Sequence, residues 1–217
     1  MEKAFKCDKW LRRLACIAMV SLVNSAVDYI PFVPADITIW IGRAAALAVI
    51  FCMFHLAAAN ARYKKAGAFR AAVLACTLIS AFPFGLHSVT AAIFRHGSAF
   101  LTTALQVISL LLTLATFLLS ILASYHEYCA HSEMVAAENP NLSRNWRKLF
   151  YWGIAAALLV SFGTTITSVI LTASGHTGNI AAVFSLVHFL LSIPGLVIGV
   201  IYLLYLRETA FSCRSSE

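Results

Sequence analysis

The chain has 217 residues, 61% hydrophobic and only 12% charged, with a net charge of +7 and a mean hydropathy of +0.84. That balance excludes an ordinary soluble globular domain. The positive charge by itself would suit nucleic acid, but the basic residues sit at the borders of apolar runs and form no continuous patch, so no nucleic-acid partner is expected.

Six apolar stretches follow one another: Leu14–Ile30, Thr38–Asn60, Ala71–Phe94, Ala99–Ser124, Leu149–Ala173 and Ile180–Leu206. Each approaches or exceeds the ~20 residues that cross a bilayer as helix. Lys3, Lys6, Lys9, Arg12 and Arg13 precede the first, Arg62, Lys64, Lys65 and Arg70 separate the second from the third, and Arg144, Arg147 and Lys148 separate the fourth from the fifth. Arg207 and Arg214 follow the sixth, so fourteen of the sixteen basic residues fall on one side, with Arg95 opposite and Arg43 within a span. The positive-inside rule then predicts an all-α, polytopic integral membrane bundle. It consists of six transmembrane helices in three antiparallel hairpins, N-in/C-in, a single domain over 1–217 in the cell membrane of a bacterium (the inner membrane). Cys7, Cys129 and Cys213 fall in cytoplasmic segments and Cys16, Cys52 and Cys76 in inner halves of spans, away from the oxidising side. Trp10, Trp146 and Trp152 read as anchors at the inner boundary and Trp40 at the outer one. A cleaved signal sequence is the alternative for the first span, but no small-x-small site follows and the run continues through Val27.

The outer connections are short. The longest polar segment, 125–147, is read as a solvated, cytoplasmic helical extension of span four, stopped at Asn139-Pro140-Asn141, with Ser143 capping helix five. Within the spans, polar side chains cost several kcal/mol unless paired or wetted. Counting ~1.5 Å per residue from the basic edges, Asn24, Asp28, His87, Thr164, Thr165 and His188 gather in the outer half, and Gln106 enters the same zone from the other side. The inner halves are apolar apart from His55, which predicts an outward-open cavity above an apolar floor. Pro83-Phe84-Gly85 and Pro194-Gly195 interrupt two spans at one depth, each proline thirteen residues from Arg70 or Arg207; paired interruptions read either as simple kinks or as a transport site.

Arg43 has three readings: an ion pair with Asp28 across the first outer loop, snorkelling to the headgroups, or binding an anionic solute. His87, His96, His176 and His188 lie near Asp28 and Asp36 at the outer side, without the short spacing that marks a metal site, so the metal question stays open. In the run 125–133, His126 and His131 are five apart, not the four a helical zinc motif needs, leaving the narrow faces His126-Cys129-Glu133 and Glu127-His131. No nucleophile, phosphate-loop or dinucleotide pattern appears, so neither enzymatic activity nor a cofactor is expected. Gly195-x-x-x-Gly199, Ser21-x-x-x-Ser25, Gly42-x-x-x-Ala46 and Gly153-x-x-x-Ala157 suit close helix packing, and helix one also suits a partner membrane subunit.

The favoured reading is a lipid-embedded protein that binds or transports a small molecule or ion in a pocket lined by Asn24, Asp28, Arg43, His87, Gln106, Thr164, Thr165 and His188. In span number, size, orientation and small-residue first helix the chain resembles the substrate-binding subunits of energy-coupling-factor importers; the resemblance implies a fold outline and a multi-component importer, and no binding residue is carried over. The rival reading is a non-transporting accessory, immunity or sensory protein acting through 125–147.

Overall fold

The structure, a computed structural model, describes residues 2–27, 34–85, 99–173 and 180–215. Asp28, His87, His96 and His176 lie outside the described residues, as do the side chains of Gln106 and of other residues near the same helix ends. Six helices account for nearly all of what is described: α1 Glu2–Val27, α2 Ala35–Leu56, α3 Ala61–Gly85, α4 Ala99–Val135, α5 Pro140–Ala173 and α6 Ile180–Ser215. Five of them contain stretches long and apolar enough to cross a membrane: Cys7–Val27, Asp36–Leu56, Leu110–Val135, Pro140–Thr167 and Leu186–Cys213. The expected third span falls on α3, whose continuation past Gly85 lies outside the described residues.

Each helix packs against its neighbours in sequence, and α1 also packs against α6, so the six close into a ring. At one end of the ring the first turns of α1, α3 and α5 meet the last turns of α2, α4 and α6, and Leu11, Leu56, Tyr63, Val135, Trp146 and Leu206 form a buried cluster there, one residue from each helix. This is the end that carries Arg62, Lys64, Lys65, Arg144 and Arg147. Away from it, large apolar side chains point outward on every helix; Met19, Leu47, Ile79, Leu110, Phe162 and Val197 are each more than half exposed. In water such a surface would drive aggregation, whereas in hydrocarbon it carries no solvation cost.

Close approach relies on small residues at three places. A Cβ on Gly67 would lie 3.2 Å from the Met53 Cβ of α2, one on Gly163 would lie 2.5 Å from Leu191 Cδ1 of α6, and one on Gly199 would lie 2.6 Å from Leu22 Cδ1 of α1. Only the first is a near-backbone contact, so Gly67 sets the α2–α3 spacing more rigidly than Gly199 sets α1–α6. Gly153 and Gly195, also singled out by spacing, have nothing within 4 Å of an added Cβ.

Three expectations are corrected. Helix α6 runs through Pro194 without a break, and α3 runs through Pro83 to Gly85. Near Pro194, the Ser192 hydroxyl donates to the His188 carbonyl at 2.8 Å, giving that carbonyl a side-chain partner in the turn before the proline. The cap of α5 is Asn139, whose Oδ1 accepts from the Leu142 amide at 3.0 Å, with Pro140 in the first helical position; Ser143 lies inside the helix. Finally, the segment around 127–146 is solvated on one side only: Glu133, Glu138 and Arg144 are exposed, but Glu127, His131, Ser132, Ser143 and Trp146 are all buried, and Trp146 is no interfacial anchor.

Candidate functional site

Helix α4 carries Ser120, Ser124, Glu127 and His131 at intervals of four, three and four residues, which places them on one face. Opposite it, α3 presents Tyr63 and Arg70, two helical turns apart, and α6 presents Tyr202 and Thr209 with the same spacing. These three faces meet inside the ring. The Arg70 Nε–H donates to Glu127 Oε2 at 3.0 Å, its Nη2 reaches the same oxygen, and the Tyr202 hydroxyl donates to Glu127 Oε1. A carboxylate with 1% of its side chain exposed is thereby held by one guanidinium and one phenol. Without such partners a buried carboxylate is prohibitively costly.

The network continues toward the basic end. His131 Nε2 lies 3.9 Å from Glu127 Oε1 and has no hydrogen-bond partner, while His131 Nδ1 lies 2.7 Å from the Tyr63 hydroxyl. If Nδ1 carries the ring proton, it donates to the Tyr63 oxygen and the phenol is free to donate to the Met134 sulfur at 3.1 Å; if Nε2 carries it, the phenol donates to Nδ1 and the Nε2–H points toward Glu127. Burial pushes the Tyr63 phenol well above its ordinary value, and the Glu127 charge adds to the shift, so Tyr63 keeps its proton. Trp146 stacks on the His131 ring at 4.5 Å between centroids and its indole N–H donates to the Thr209 hydroxyl at 3.0 Å. At the rim, Glu133 accepts from Asn60 at 3.0 Å and from Arg62 at 2.6 Å, and the Ser132 hydroxyl pairs with Ser143 at 2.8 Å.

Above this floor the ring is not filled. A cavity of about 500 Å³ lies between α2, α3 and α4, and one of about 310 Å³ between α1, α3, α4 and α6. Arg70 and Ser124 line both. The 35% of the Arg70 side chain that stays accessible therefore opens on interior space, with Glu127 behind it. The expectation of an apolar floor gives way to a charged one.

The pocket residues expected from depth are placed as follows. Arg43 lines the 500 Å³ cavity, and its guanidinium lies 5.0 Å above the Trp40 ring. Asn24 donates to the Thr38 carbonyl at 3.0 Å, joining α1 to the first turn of α2. Thr164 and Thr165 return their hydroxyls to their own helix, to the Val160 and Ser161 carbonyls, each at 2.8 Å. His188 is half-buried and lies parallel to Phe184. Asn24, Thr164, Thr165 and His188 are not among the residues lining the 500 Å³ cavity, and Asp28, His87 and the Gln106 side chain lie outside the described residues. Among the described residues no group of three or more His, Cys, Asp or Glu side chains is arranged to hold a metal ion. The sequence marks Glu127-His131 only as a narrow helix face and does not reveal its pairing with Arg70 and Tyr202; that i, i+4 pair, continuing the Ser120-Ser124 stripe, is the available signal.

A ring of long helices with an apolar exterior and a charged interior defines a multi-pass helical integral membrane protein. Comparison of the chain with known protein families, with curated proteins and with solved structures finds no match.

Proposed function

We propose that this is a six-span protein of the bacterial inner membrane, three antiparallel hairpins with both termini cytoplasmic, that binds a small solute or ion inside its helix ring. The bound solute is then carried across or handed to a partner membrane subunit through α1. The orientation rests on the crowding of Lys and Arg at one end. The observation that carries the binding reading is the Arg70–Glu127 pair at the meeting point of two cavities: a charge pair held between the helices at the basic end of the bundle and facing open space suits the inner end of a solute path. On this reading the Arg70–Glu127–Tyr202 layer closes the path at its cytoplasmic end. Asn24, Asp28, His87, Gln106, Thr164, Thr165 and His188 belong to its outer approach. The rival reading, docking through 125–147, is less favoured because Glu127, His131, Ser132 and Trp146 are engaged within the bundle and not presented to a partner.

A thermal-shift screen of the purified chain against a library of small solutes tests this, because a ligand that binds the folded state raises its melting temperature by mass action. Ala46 lines the 500 Å³ cavity, and Ala46→Phe fills part of it. At least one solute is expected to raise the melting temperature of the unsubstituted protein and to lose that effect in Ala46→Phe, with helix content by circular dichroism unchanged. A screen in which nothing stabilises the protein, or in which every shift survives Ala46→Phe, contradicts the reading.

A further inference from the structure

We infer that the cavity between α2, α3 and α4 takes a small organic anion with an apolar body, whose carboxylate or phosphate is held by Arg43. This inference deepens the solute-binding reading and rests on it. The cavity's size, about 500 Å³, falls within the ~300–1,000 Å³ range of small-molecule sites. Arg43 and Arg70 are among its lining residues, and no Asp or Glu is among the described ones. Arg70 is already neutralised by Glu127 from behind, so one positive charge, that of Arg43, is left for the cavity. No carboxylate of the described residues lies within ion-pair distance of Arg43. A guanidinium inside a membrane protein gains most from an anion that accepts both arms of its fork.

The rest of the wall selects the body of the ligand. Ile39, Val73 and Leu74 are apolar, while Ser120 adds a hydroxyl suited to orienting a polar head; the Thr77 hydroxyl donates to the Leu74 carbonyl at 2.8 Å. A cation would meet the Arg43 charge and no negative group among the described lining residues, whereas an anion would meet a compensating partner there. A monoanion with an aromatic or short aliphatic body satisfies both conditions. The same anionic chemistry belongs to a phospholipid headgroup. A soluble solute is favoured because Arg70 and Ser124 are shared with the second cavity, between α1, α3, α4 and α6, so the space continues into the helix ring.

Benzoate, benzamide and benzylamine share one ring and differ in charge, which makes them suitable probes for the full chain purified in a neutral detergent. Benzoate is expected to raise the melting temperature while benzamide and benzylamine do not. Arg43→Gln is expected to weaken benzoate binding about 30-fold or more, the usual effect of removing one partner of a desolvated charge pair. Arg43→Lys, which keeps the charge without the fork, is expected to bind with intermediate affinity and serves if the Gln variant fails to fold. Equal shifts from benzamide or benzylamine, or benzoate binding that survives Arg43→Gln, overturn the anion assignment; if those shifts are still lost in Ala46→Phe, the solute-binding reading stands. A shift from dihexanoyl-phosphatidylglycerol with none from benzoate assigns a lipid headgroup and also overturns the inference. No shift from any compound that is sensitive to Ala46→Phe overturns both readings together.

Discussion

Glu127→Ala is expected to destabilise the protein by about 3–5 kcal/mol, the usual cost of removing one partner of a buried ion pair. The loss has two parts. Arg70 keeps its charge and loses its counter-ion, and the Tyr202 hydroxyl loses its acceptor. Glu127→Gln retains an acceptor for Tyr202 and nearly the same volume, so it is expected to cost less than Ala while still stranding the guanidinium. The double variant Arg70→Met with Glu127→Met removes both charges and is expected to recover most of the loss, because the desolvation cost of the pair disappears with its attraction. Unfolding in mixed detergent micelles, followed by circular dichroism for the two single variants and the double, reads these differences. A Glu127→Ala protein that unfolds like the unsubstituted one would mean that the carboxylate is solvated and the floor does not exist.

Trp146→Ala is expected to cost a similar amount, about 3–5 kcal/mol, through loss of buried area and the cavity it leaves. Trp146 is fully buried, stacks on His131, and makes edge contacts with Tyr128, Tyr202 and Tyr205, so four rings of α4 and α6 lean on one indole. The indole hydrogen bond separates area from polarity. Thr209→Val orphans the buried indole N–H, at a cost of about 1–3 kcal/mol. Trp146→Phe does not orphan Thr209, whose hydroxyl already donates to the Tyr205 carbonyl at 2.8 Å. Melting temperatures in detergent should therefore fall far more for Trp146→Ala than for Trp146→Phe. If the Ala variant melts within a degree or two of the unsubstituted protein, Trp146 lies at an interface as its neighbours Arg147 and Lys148 suggest from the sequence.

The apolar runs were legible because spanning a bilayer imposes length and composition directly, and the five spans Cys7–Val27, Asp36–Leu56, Leu110–Val135, Pro140–Thr167 and Leu186–Cys213 overlap the runs read from the sequence. Polar residues were legible as positions but not as partnerships. Depth alone groups Asn24 with Thr164 and Thr165, yet Asn24 is satisfied by the Thr38 carbonyl and the two threonines by their own helix, a satisfaction that hydropathy does not register. The converse holds for Glu127 and His131. Their local surroundings, Tyr125-His126-Glu127-Tyr128, look like a solvated helix end, and the residues that bury them are Arg70, 57 positions earlier, and Tyr202, 75 positions later. No local pattern carries contacts of that range. Trp146 and Thr209, 63 positions apart, fail to be read for the same reason. Arg43, a charge within a span for which the sequence leaves three readings open, lines the 500 Å³ cavity and lies over the Trp40 ring.

The central claim is that the helices meet lipid on the outside and enclose a water-filled, charged space. Thiol reactivity in membrane vesicles tests it directly, after the six native cysteines are replaced by alanine. Ser120 lines the 500 Å³ cavity, while Leu111, two turns away on α4, is 58% exposed on the outer surface. A charged, membrane-impermeant methanethiosulfonate should modify Ser120→Cys and leave Leu111→Cys unmodified. Equal modification of both, or modification of Leu111→Cys alone, would contradict a lipid-facing exterior around a wet interior.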